Sequence, residues 1–183
     1  MAAPTIALMN AQQMAHALDE LAQAIAKDRH GTADAAGLAL IGIRNRGVPL
    51  AARLAERLSE KFSLRPQVGA IDITLYRDDL SQIARTPVLR GTDVLFGVDG
   101  KELILVDDVL FTGRTVRAAM DVLCDLGRPA AIRLAVLVDR GHRELPIQAD
   151  YCGLRVTTER SERIDVLLKE TDGVDEVRKE MQG

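Results

Sequence analysis

A chain of 183 residues, 47% hydrophobic and 28% charged, has enough apolar material for one domain with a full core, and a single domain over residues 1–183 is expected. A net charge of −3 creates no overall positive field toward nucleic acid or anionic lipid, and 3% aromatics without Trp leave few platforms for stacking single-stranded bases. No apolar run approaches the ~20 residues that cross a bilayer, and the start MAAPTIALMNAQQM lacks the basic and long apolar regions of a secretory signal, so a cytoplasmic location is expected.

No internal repeat is visible. The first predicted element is a helix from about Ala11 to Lys27, because Met14, Leu18, Leu21 and Ile25 form one apolar stripe while Asp19, Glu20 and Gln23 lie off it. A Gly- and Ala-rich connection, Gly31 to Gly37, leads to the nearly all-apolar run Leu38–Ile43, the pattern of a strand buried on both faces of a parallel sheet. The turn Arg44–Gly47 ends it, and Leu50, Leu54 and Leu58 mark a helix from about Val48 to Lys61. Val68–Leu75 reads as another strand. The polar stretch Tyr76–Thr92 has no sustained period and reads as a long surface loop of the kind that often acts as a lid. Asp99-Gly100 between the apolar runs Val94–Val98 and Glu102–Val106 predicts a hairpin. Asp107-Asp108 is expected at the end of the strand Leu103–Val106. A helix should open at Thr112–Thr115 and run to about Leu126, stopped by Gly127 and Pro129. Cys124, among Val122, Leu123 and Leu126, is expected to be a buried thiol, and with Cys152 it forms no CxxC pair, so neither a disulfide framework nor a zinc site is indicated. Ile132–Val138 is one more apolar strand. Alternating strands and helices imply an α/β domain with a mostly parallel sheet. Ligands bind such sheets outside the carboxyl ends of the strands, where Arg44–Gly47, Asp107–Thr115 and Asp139-Arg140 should converge.

Val106–Thr115, VDDVLFTGRT, carries the chemistry. Neighbouring strand residues point to opposite faces, so the two carboxylates do not form a metal cage, and only one faces the crevice fully. A carboxylate there accepts hydrogen bonds from sugar hydroxyls, and holds Mg²⁺ indirectly through substrate phosphates and water. Thr112-Gly-Arg-Thr115 at a helix start presents backbone N–H groups and the positive end of the dipole to a phosphate. A hydroxyl-binding acid followed by a phosphate nest is the layout of a ribose 5-phosphate. A solvated strand end followed by a helix cap would be the reading of the shorter string TGRT alone.

The whole string Glu102–Thr115, ELILVDDVLFTGRT, resembles without a gap the signature of type I phosphoribosyltransferases: apolar strand, two acids, small residues, TGxT. Gly42–Gly47 (GIRNRG), Ile71–Leu80 (IDITLYRDDL) and Val136–Tyr151 (VLVDRGHRELPIQADY) are similar to one branch of that family, the pyrimidine-operon attenuation regulators that also have uracil phosphoribosyltransferase activity. The similarity runs from roughly Ile6 to the C-terminal region. It implies a type I phosphoribosyltransferase fold, a mostly parallel sheet flanked by helices with a small hood and a flexible loop. It also implies the reaction of uracil with 5-phosphoribosyl diphosphate to give UMP and diphosphate with Mg²⁺, and a homodimer or higher homo-oligomer.

By the same resemblance Arg44, Asn45, Arg46 and Gly47 hold the diphosphate, and Asp107 and Asp108 bind the ribose hydroxyls and reach Mg²⁺ through substrate and water. Thr112, Gly113, Arg114 and Thr115 form the 5-phosphate loop, and Val138, Asp139 and Arg140 recognise the base. Arg77, in the flexible loop, reaches for the diphosphate, or else pairs with Asp78 or Asp79. A purine or other-base transferase shares the sugar-phosphate motif, and only the base loop speaks against it. The branch resemblance further implies a leader RNA of a pyrimidine (pyr) operon as partner, with UMP as signal. Affinity for RNA needs Lys and Arg placed against phosphates, yet the first helix carries Asp19 and Glu20, with His16, Lys27 and Arg29 its main basic candidates. Gln148 and Leu154 occupy positions where basic residues would serve, while His142, Arg143, Arg155, Arg160 and Arg163 are available to build a basic face.

Overall fold

The computed structural model describes residues 5–29, 37–73 and 92–181. The elements in chain order are β1 (Thr5–Met9), α1 (Ala11–Asp28), β2 (Leu38–Ile43), α2 (Gly47–Phe62), β3 (Gln67–Ile71), β4 (Glu102–Leu110), α3 (Arg114–Leu126), β5 (Ala131–Asp139), β6 (Tyr151–Arg155), β7 (Glu162–Leu167), α4 (Lys169–Asp172) and β8 (Glu176–Met181). The main sheet has the order β3-β2-β4-β5-β6 with every pair parallel. This is the α/β domain with a parallel sheet flanked by helices that the sequence leads one to expect.

All six residues of β2 are buried, which is why the strand has no polar alternation. Leu40 and Ile104 face α1 and α2, while Ile41 and Leu105 face α3. The predicted stripe Met14, Leu18, Leu21 and Ile25 is buried in the first of these layers together with Leu50, Leu54 and Leu58 of α2. Asn10 and Gln13 close α1 with a reciprocal capping box, so that helix start is satisfied by its own side chains.

The ends of the described chain make a separate antiparallel sheet, β1-β8-β7. Its strands carry no buried continuous run, and β1 pairs with β8 at the opposite end of the sequence (Thr5 opposite Glu180), so local pattern did not reveal them. Ile164, Val166, Leu168 and Val177 nevertheless join the core under α1 and α2.

Three sequence expectations are corrected. Asp99-Gly100 is a turn, with Gly100 at φ 68°, but it does not join a hairpin. Both edges of β4 are taken by the parallel partners β2 and β5, so no edge remains for residues 94–98, and the residue just before them, Asp93, makes an isolated bridge to Ala70 instead. The turn instead packs on the end of α3, where Asp99 accepts the Arg128 N–H at 2.6 Å. Cys124 is exposed, because α3 turns Ala119, Val122 and Leu123 inward and residue 124 away from them. Asp107-Asp108 lies within β4, not past its end, since pairing with β5 continues to Leu110 opposite Asp139. Arg77 and the loop expected over Tyr76–Thr92, apart from Thr92, lie outside the described residues. Among the described residues no helix is long and apolar enough to cross a membrane.

Candidate active site

Adjacent parallel strands end on the same side, and the three polar clusters meet there. Gly42 pairs with Val106, beyond which β2 stops and the Arg44–Gly47 turn folds over β4. The approach is close enough that a Cβ on Gly47 would lie 2.2 Å from the Val106 carbonyl oxygen and 3.4 Å from Asp107 Cα. The turn is anchored on its other side by the Arg44 N–H, which donates to Ile71 O at 2.9 Å, and its Arg44–Asn45 peptide is cis. Arg44 and Asn45 are exposed and Arg46 half-buried.

Beyond the end of its pairing with β2, β4 carries the two acids. Asp107 is 8% exposed and Asp108 half-buried. Asp107 Oδ1 accepts the Asp108 N–H at 3.0 Å, and Asp108 Oδ1 accepts the Val109 N–H at 2.9 Å. Burial, and then the charge of Asp108, push the Asp107 carboxyl well above the usual carboxylate range. Without further donors the fold therefore disfavours the charged form of Asp107.

Phe111, Thr112 and Gly113 lead into α3. Gly113 adopts φ 91°, a left-handed conformation that suits Gly, and Ile147 and Leu145 pack on it. Unlike α1, helix α3 has no side-chain cap. The Arg114 N–H reaches Thr112 Oγ1 at a long 3.4 Å, and the start of the helix presents the positive end of its dipole to an anion. Thr115 is exposed there and Thr112 half-buried. The Arg114 guanidinium is turned elsewhere, donating to Glu144 at 2.8 Å.

The third cluster closes onto the second. Arg140 N–H donates to Leu110 O at 3.1 Å, and Glu144 and Leu145 N–H both donate to Thr112 O. Arg143 locks the loop: it donates to Asp139 at 2.5 Å, to Phe111 O at 2.8 Å and to Ile147 O at 2.9 Å. Burial raises the Asp139 carboxyl, but the Arg143 and Gly141 hydrogen bonds outweigh it and hold the group below its usual value. Arg140 is 6% exposed, its guanidinium donates to Glu159 O at 3.0 Å, and it stacks 4.1 Å from the centre of the Phe111 ring. His142 is hydrogen-bonded locally, 2.7 Å from Thr158 O. Gly141, Arg143, Gln148, Arg155 and Thr157 line, with Asp139, a cavity of about 380 Å³ beside the loop.

The model of the phosphoribosyl transferase domain matches residues 7–165. The bifunctional protein PyrR of Deinococcus deserti is 54% identical over 177 residues, covering 97% of this chain and 95% of that protein. The same-named protein of Thermus thermophilus is 54% identical over 170 residues, covering 93% and 92%. This chain belongs to the PyrR branch of the type I phosphoribosyltransferases. Among solved structures, a hypoxanthine phosphoribosyltransferase of Trypanosoma cruzi superposes with a TM-score of 0.74 at 19% identity, covering 97% of each chain. One of Staphylococcus aureus gives 0.70 at 18% identity, covering 97% of this chain and 92% of that one. At that identity the likeness is one of fold.

In this PyrR-branch chain the predicted residues Arg44–Gly47, Asp107, Asp108 and Thr112–Thr115 are thus brought to one edge. The Arg143–Asp139 lock was not predicted, since Arg143 stands in the sequence as one more surface cation. The partner that the fold gives Arg46, Asp172 at 3.1 Å, lies 126 residues away, and no local signal links them.

Proposed function

We propose that the chain transfers the phosphoribosyl group of 5-phosphoribosyl diphosphate to uracil, giving UMP and diphosphate. The observation that carries this is the two-acid end of β4 lying between the Gly47 turn and the uncapped start of α3. In this reading Asp107 and Asp108 accept hydrogen bonds from the ribose hydroxyls. The negative charge of Asp108, and of Asp107 once ribose hydroxyls donate to it and offset its burial, favours the oxocarbenium character that C1 acquires as diphosphate departs, by the same physics as in glycoside hydrolysis. The α3 start, with Thr112, Gly113, Thr115 and the backbone of Arg114, holds the 5-phosphate. Arg44, Asn45 and Arg46 place donors on the leaving diphosphate, where negative charge develops. Gly47 sets that turn against β4. Arg77 reaches the diphosphate from the loop that excludes water. Uracil is read at the Val138–Arg140 loop; Arg140 acts there through the loop's shape, because its side chain is committed to Glu159 and Phe111.

Among the described residues there is no cluster of three or more His, Cys, Asp or Glu to hold a metal. That donor set fits Mg²⁺ arriving with the diphosphate and its waters, with Asp107 and Asp108 as indirect holders. When bound, Mg²⁺ supplies neutralising charge on the leaving group. Purified protein given uracil, 5-phosphoribosyl diphosphate and Mg²⁺ should release UMP, with turnover lost in excess EDTA and no product from hypoxanthine. Absence of UMP under these conditions ends the enzymatic reading, and a hypoxanthine product transfers it to another base.

The second half of the proposal is UMP-responsive binding of pyr leader RNA by a homo-oligomer in the cytoplasm. Two ion pairs favour it. Asp19 of α1 does not face solvent alone, because Arg57 at 2.9 Å and Lys61 at 2.7 Å of α2 neutralise it. On the opposing side, Arg143, Arg160 and Arg163 are paired with Asp139, Glu144 and Asp165. A filter-binding titration against the leader RNA should give affinity that rises with UMP and falls steeply with salt. Binding indifferent to UMP at all salt concentrations would remove the regulatory half alone.

A further inference from the structure

We propose that Asp172, in the C-terminal segment, is a positioning residue that holds Arg46 in place for the diphosphate. The proposal rests on the reading of Arg44–Gly47 as the diphosphate turn. Asp172 lies beyond residues 7–165, the span shared with phosphoribosyl transferase domains in general. It reaches back 126 residues to Arg46, whose Nη2 donates to Asp172 Oδ1 at 3.1 Å and Oδ2 at 3.4 Å. The Nε of Arg46 is enclosed without a hydrogen-bond partner. Among the described residues, the hold on this guanidinium therefore runs through Asp172.

Asp172 is itself firmly placed. Its Oδ2 accepts the Leu168 N–H at 2.9 Å and the Thr171 hydroxyl at 2.7 Å, and these bonds keep its carboxyl below the usual range, so it is charged at neutral pH. The turn that carries it is strapped to α2, the helix that the Arg46 turn begins. Arg53 grips Glu170 with Nε at 2.8 Å and Nη2 at 2.6 Å, and Asp175 at 2.7 Å. Asp175 in turn accepts the Lys169 N–H at 2.9 Å. Leu168, fully buried, pins the start of the turn to the core. This segment is thus a bracket held on α2, and its Asp172 carboxylate takes Arg46. A long side chain held in one rotamer loses less freedom on meeting its ligand.

The test is the kinetics of the full chain, varying 5-phosphoribosyl diphosphate and uracil separately. Asp172→Asn keeps an acceptor for Leu168 N–H and removes the charge. The KM for 5-phosphoribosyl diphosphate should rise roughly threefold to fivefold, the scale of a partly exposed ion pair, with the KM for uracil unchanged. In an Arg46→Gln background the same substitution should have no further effect. A merely structural role would instead lower the melting temperature and move both KM values together. Should Asp172→Asn not fold, Asp172→Ser, whose hydroxyl caps Leu168 without charge, is expected to give the same rise. An unchanged KM in Asp172→Asn while Arg46→Gln raises it, or an equal effect in both backgrounds, overturns the proposal alone. If Arg46→Gln leaves the KM unaltered, the reading of the turn as the diphosphate site falls with it.

Discussion

Replacing Asp107 and Asp108 together by Asn should lower kcat/KM for UMP formation by about a thousandfold or more, while the protein melts at the same or a higher temperature at pH 8. The loss follows from removing fixed charge aimed at the developing cation, since a single preorganised group of this kind is worth on the order of 10² to 10³ in rate. The stability side follows from burial. Asp107 is 8% exposed and stands beside Asp108, so its charged form is disfavoured in the fold. Its folded pKa lies above its unfolded value. The stability linked to its proton is therefore present below the ordinary carboxylate range and is lost as pH rises through the raised value. Asn keeps the neutral shape at every pH, so the variant escapes that loss. Turnover assays and thermal melts between pH 5 and pH 9 read both sides. Undiminished turnover would show that the ribose lies elsewhere; a variant that no longer folds would show that the acids are structural.

Gly47→Ala should be nearly as damaging for activity, by a different route. An added Cβ would lie 2.2 Å from Val106 O and 3.2 Å from its carbonyl carbon, and both are backbone atoms of a central strand. Neither can rotate away, so the turn must lift from β4. Overpacking of this kind costs about 1–3 kcal/mol, which outweighs the ~0.5–1 kcal/mol that Ala gains over Gly in a helix. A lift of about 1 Å separates the diphosphate donors from the ribose acids, and misplacement on that scale costs on the order of 10² in rate. Gly37→Ala is the control, because nothing lies within 4 Å of the Cβ it adds. Comparable melting temperatures and rates for the two variants would mean that the close approach of turn and strand is not required.

The elements that carry the site were legible where burial is two-sided or amphipathic. Leu38–Ile43 became β2 with the same bounds, and the helix expected over Ala11–Lys27 became α1, Ala11–Asp28. Local signals failed where a segment's partner is remote. Asp99-Gly100 has hairpin chemistry, yet β4 is a central strand whose edges were claimed by β2 and β5. The charged strands Glu162–Leu167 and Glu176–Met181 form because each supplies the other's ladder, and β8 also takes β1 from the far end of the chain. Cys124 was misplaced because an apolar neighbourhood in sequence is not a helix face: residues one apart on α3 point about 100° apart.

By itself the sequence determined the chemical vocabulary of this protein. Two acids on an apolar strand, a Gly-Arg-Thr helix start and the turn Arg44–Gly47 are local features, written by strand alternation, helix capping and glycine's freedom. Only the tertiary structure decided which of these groups act on one another. It enclosed Asp107, turned Arg140 onto Phe111 and Arg114 onto Glu144, and brought Asp172 across 126 residues to Arg46. The reason is that a side chain's neighbours across strands and layers are set by sheet order and register, and these depend on every strand at once.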